Sequence, residues 1–127
     1  MLEINSDIVR SIIDRAHEFH AQEGVVFPEL PGSPTDDWAM QVLANHADDL
    51  SFQELRGLIR DLEPDQQINL VVLMWLGRGD FMEDELEEAL DQARDLWTPR
   101  TAEYLIATPL VADYLEEGLS LLGYSED

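Results

Sequence analysis

The chain has 127 residues, with 28 acidic and 7 basic side chains and a formal net charge of -21. All seven of the basic residues are arginine, and the sequence has no lysine and no cysteine. Those absences exclude a Schiff-base or Walker A lysine, a thiolate nucleophile, Cys-ligated zinc or iron–sulfur centres, and any disulfide.

The length fits one domain over 1–127. At 45% hydrophobic residues the chain is too apolar to be a disordered acidic polymer. The charge opposes direct contact with nucleic acid or anionic lipid and suits a basic protein partner. Met1-Leu2-Glu3-Ile4-Asn5 has no basic region and no apolar run, so no leader is expected. The most apolar stretch, Ile68 to Leu76, is too short to span a bilayer. The expectation is a cytoplasmic, all-α, compact bundle of six to seven short helices, with no cofactor.

In chain order, Ser6 is expected to cap a first helix. Ile8, Ile12, Ala16 and Phe19 form its stripe, Val9 and Ile13 lie beside it, and Gly24 is the stop. Residues 24–34 follow as a Pro/Gly-rich apolar loop. It reads as an extended segment pinned across the core, and its sharper reading is an arm around Phe27 exchanged in a homodimer. Ser33 and Pro34 open a second helix, with Trp38 and Val42 buried. Ser51 and Glu54 form a capping box for a third, with Phe52, Leu55, Leu58, Ile59 and Leu62 inward. Pro64 precedes a helix over about 65–77 that is apolar on nearly all sides, the mark of a central element. Gly77 and Gly79 are expected to end it. Asp80 is expected to cap the next helix, with Leu86, Leu90, Ala93 and Trp97 buried. Asp84, Glu87, Glu88, Asp91 and Asp95 form its acidic ridge. Thr98-Pro99 and Thr108-Pro109 each look like a cap followed by proline, starting two last helices, the second closed by Gly123.

The candidate sites are few. Asp14, His17 and His20 step by three along one helix, and His46 beside Asp48 and Asp49 can join them. This spacing permits a metal site but matches no metal signature, and ordinary surface histidines are the plainer reading, so no metal is called. The acidic ridge suggests a mimic of DNA that inhibits a nucleic-acid-binding protein, although mimicry needs two rows at duplex spacing and a solvated face is simpler. Arg78, Arg100 and Tyr104, closed by Trp75, are the candidate anion or partner pocket. The competing reading is salt bridging, with Asp80, Glu103 and Asp113 as acceptors. No catalytic constellation is present: there is no Gly-x-Ser-x-Gly elbow and no histidine next to a Ser or Thr nucleophile.

Leu73-Met74-Trp75-Leu76-Gly77-Arg78-Gly79-Asp80, Arg100-Thr101-Ala102-Glu103-Tyr104-Leu105 and Pro109 through Leu119 resemble a family of small acidic bacterial proteins known as a domain of unknown function. His46-Ala47-Asp48-Asp49 is similar too. The resemblance implies that Trp75, Arg78, Arg100 and Tyr104 belong to a common structural core, and it carries over no catalytic residues. Glu18-Phe19-His20 departs from the family's pattern, which weighs against a metal at His20. The functional expectation is a non-enzymatic interaction or regulatory module. The alternatives are a DNA mimic and a small anion- or metal-binding protein.

Overall fold

The computed structural model describes residues 5–21, 49–108 and 110–123. Among these residues there are six α-helices, a short 3₁₀ turn and no strand. The helices are α1 (Ser6–His20), α2 (Leu50–Arg60), α3 (Pro64–Arg78), α4 (Leu86–Leu96), α5 (Thr101–Ala107) and α6 (Val111–Leu121), with the 3₁₀ turn Glu83–Glu85 before α4. The expected all-α bundle is the observed one. The expected second helix, the 24–34 loop with Phe27, and His46 lie outside the described residues.

The central helix is α3. Gln67, Ile68 and every residue from Leu70 to Leu76 are buried. A helix without a polar face finds its minimum only with neighbours on all sides. Here α6 and α4 pack along it and α5 touches it, while α1 lies across α6 and α2. The α3–α6 contact is backbone against backbone. A Cβ at Gly77 would stand 1.8 Å from the Tyr114 carbonyl oxygen, and one at Gly118 would stand 2.4 Å from that of Leu73. Gly77 is therefore a packing residue inside α3 and not its stop. The stop is Gly79, left-handed at φ 91°, a conformation that costs glycine little.

Several caps differ from the sequence expectation. The first helix is capped by Asn5, whose Oδ1 accepts from the amides of Asp7 and Ile8, so Ser6 is already helical. Asp49, not Ser51, caps α2, and its Oδ1 accepts from the Ser51 amide at 3.0 Å. Asp80 caps nothing. It pairs with Arg78, and Glu85 instead reaches back to the Met82 amide at 2.7 Å. Thr98 Oγ1 does accept from the Arg100 amide, as a cap would, but the turn it opens precedes α5, which starts at Thr101. Thr108 donates back to the Tyr104 carbonyl at 2.9 Å, and α6 begins only after Leu110, held at φ 63°.

Polar side chains tie the helices where backbone groups would be stranded. Gln67 donates to the carbonyls of Ile59 and Leu62 and accepts from Trp97 Nε1 at 2.8 Å. One buried amide thereby joins the α2–α3 corner to the end of α4. The core elsewhere is closed by Phe19 against Phe52, with ring centroids 5.8 Å apart, and by α5, all seven of whose residues are buried.

Candidate binding cleft

The end of α3, the turn after it, α4 and α5 enclose a cleft of about 340 Å³ lined by Trp75, Arg78, Asp80, Phe81, Gln92, Leu96 and Tyr104. Each wall follows from local folding. Trp75 and Arg78 are three apart on the last turn of α3 and so share a face. The left-handed Gly79 then reverses the chain and returns Asp80 and Phe81 toward that face. Trp75 and Phe81 lie with centroids 5.7 Å apart at 32°. Trp75 Nε1 donates to the Tyr104 hydroxyl at 3.0 Å, which orients both rings.

Arg78 is the cation of the cleft, and its side chain is only 18% exposed. Its Nε and Nη2 both donate to one oxygen, Asp80 Oδ2, at 2.8 and 2.6 Å. That geometry leaves Nη1 buried and without a partner among the described residues. Burial pulls the guanidinium's pKa down, but the hydrogen bond to Asp80 and the interactions with Tyr104 and Asp80 outweigh it. The net shift is upward and the group stays charged.

Of the residues singled out from the sequence, the fold brings Trp75, Arg78 and Tyr104 together with Asp80. Arg100 and Asp113 are not among the lining residues. Arg100 is exposed at the start of α5. Asp113 stands on α6 beside His17 of α1, with Nε2 and Oδ1 3.7 Å apart. Glu103 takes Arg60, a residue the sequence did not flag, through Nη2 and Oε2. Glu103 is 1% exposed and its other oxygen, Oε1, has no partner among the described residues. Phe81 and Gln92 were also missed as cleft residues. An aromatic directly after a Gly-Asp turn was the available signal for Phe81.

The histidines separate. His20 Nε2 lies 2.9 Å from the Ile106 carbonyl, which requires that nitrogen to carry the proton. Burial lowers the His20 pKa more than that bond raises it, with His17 adding to the lowering. His17 instead faces Asp113 and Glu116, and the three donor atoms all lie within 4.8 Å of one another. Asp14 is not in that group.

On α4 the residues Glu87, Glu88, Asp91 and Asp95 are exposed, while Asp84 sits in the 3₁₀ turn. Arg94 interrupts the row and pairs with Asp91 at 3.2 Å. Among the described residues α4 presents one row, interrupted by Arg94, and a single row does not carry the DNA-mimic reading. No helix among the described residues is long and apolar enough to cross a membrane.

Fold and cleft thus define an all-helical bundle with a small, partly polar recess at the end of its central helix. The chain belongs to a family described as a protein of unknown function (DUF3775), whose model matches residues 52–124. No curated protein and no solved structure matches it.

Proposed function

We propose that this chain is a non-enzymatic interaction module that receives a segment of a basic protein partner at the Trp75–Arg78–Tyr104 cleft. The observation that carries this reading is Arg78 Nη1, buried and without a hydrogen-bond partner among the described residues, beside a recess of about 340 Å³ with aromatic walls. That volume falls in the range of ligand sites, ~300–1,000 Å³. A carbonyl or carboxylate of the entering segment would take that donor. The rim supplies the preference for positive charge. Gln92 lies between Glu88 and Asp95 at helical spacing, and all three are exposed. A field of net charge -21 would draw such a partner in.

The test is a titration with a synthetic ten-residue peptide of alternating Arg and Gly, followed by the indole N–H resonance of Trp75. The resonance is expected to shift saturably. Gln92→Trp is expected to fill the recess and weaken binding ~10-fold or more, about 1.4 kcal/mol. Gln92 is exposed, so far-UV circular dichroism should not change. An unmoved Trp75 resonance at saturating peptide, or a Gln92→Trp variant that binds like the parent, would sink the cleft as the docking point.

A further inference from the structure

We infer that His17, Asp113 and Glu116 form a binding site for one divalent transition-metal ion of the zinc type, fastening α1 to α6. The three side chains come from two helices that pack directly against each other. Asp113 and Glu116 are three apart on α6 and so share a face, and His17 reaches that face from α1.

The donor atoms all lie within 4.8 Å of one another, and His17 Nε2 and Asp113 Oδ1 are 3.7 Å apart. Donors held at zinc bond lengths of ~2.0–2.2 Å stand roughly 3–3.5 Å from each other. About one ångström of closure is needed, and the exposed side chains can supply it by rotation while the helices stay where their buried faces hold them.

The charges argue for a cation in particular. A half-exposed His–Asp pair needs one carboxylate and is worth ~0–1 kcal/mol. Here a second carboxylate is brought to the same imidazole, although like charges one turn apart repel. A divalent ion would turn that repulsion into coordination, since neutral imidazole and two carboxylates sum to the charge it cancels. The imidazole selects zinc-like ions over magnesium or calcium, which prefer all-oxygen shells. Three protein ligands on an exposed surface would leave at least one position for water.

The sequence pointed elsewhere, to His17 with Asp14, His20 and His46. His20 Nε2 is held by the Ile106 carbonyl. The two carboxylates beside His17 come from a helix about a hundred residues away and could not be found by local spacing. The site joins a residue outside the family-matched span to two inside it, and it is independent of the cleft.

The experiment is a titration of chelator-stripped, desalted full-length protein with Zn²⁺ by calorimetry and with Co²⁺ by visible absorption. One equivalent is expected to bind tightly, with Co²⁺ developing d–d bands, and a thousandfold excess of Mg²⁺ should not displace it. Outer-shell changes at metal sites cost ~10–100-fold in affinity. Loss of a ligand in His17→Gln should cost at least that, while His20→Gln leaves the equivalent in place. His17 is exposed, so folding of the variant is checked by circular dichroism. Retained affinity in His17→Gln, or displacement by Mg²⁺, would overturn the site in favour of diffuse attraction to an acidic surface.

Discussion

A carboxylate that is 1% exposed needs a cation, and Glu103 draws Arg60 across from α2. The acid itself was visible in the sequence, standing alone among Ala102, Tyr104, Leu105 and Ile106. Its partner was not, because Arg60 lies 43 positions away and looks like any arginine at a helix end. Removing only the cation strands a buried charge, while removing both charges removes the need for either. Arg60→Ala is therefore expected to lose about 1–3 kcal/mol, less than a fully buried pair would lose because Arg60 is half-exposed. Arg60→Met with Glu103→Leu should recover most of it. Urea denaturation of the two single variants and the double variant measures this, and additive losses would show that the two side chains are not coupled.

At the scale of the helix, α3 was legible nearly to its ends, since only burial on all sides explains so apolar a run. The caps were less legible. Asn5 and Asp49 are as good at capping as the Ser6 and Ser51 chosen from the pattern, and local propensity does not separate neighbours of equal quality. Thr108 failed as a cap because its hydroxyl donates back to the Tyr104 carbonyl, whereas Thr98 does accept the Arg100 amide, on a turn that leads into α5. Gly77 was misread for a different reason, since a glycine needed for space and one needed for φ are the same letter. A helical glycine in tight contact and one in open space make opposite predictions. Gly77→Ala drives a methyl into the Tyr114 carbonyl and should lose at least about 3 kcal/mol. Gly57→Ala in α2 meets nothing within 4 Å, and should gain about 0.5–1 kcal/mol from helix propensity. Equal and small effects in chemical denaturation would mean that α3 and α6 do not touch through their backbones.

For the molecule as a whole, acidity dominates. Among the described residues, Glu54, Glu103, Asp80 and Asp91 pair with arginines, and with 28 acids against seven arginines the chain cannot pair most of its carboxylates. Net charge was legible from composition, but two of these pairs, Arg15–Glu54 and Arg60–Glu103, were not, because each joins separate helices. Self-repulsion of this kind opposes the compact state and is screened by salt. With chelator present to remove any divalent ion, raising NaCl from ~0.05 to ~0.5 M should raise Tm by about 3–8 °C, on the order of 1–2 kcal/mol for a chain this size. A Tm that does not move, followed by differential scanning calorimetry, would mean that the charges are already balanced locally.

The position of α1 has a consequence for how this family's unit is delimited. The family-matched span begins at Phe52, yet Val9, Ile12, Ile13, Ala16 and Phe19 of α1 are all buried, packed against α6 and α2. A fragment cut at the family boundary would lay bare an apolar trough where that helix had rested. Such a fragment is by construction a receptor for its own missing piece. Residues 49–127 and a separate peptide carrying Ser6–His20 are therefore expected to reassociate, since the core's first helix comes from beyond the span that the family shares.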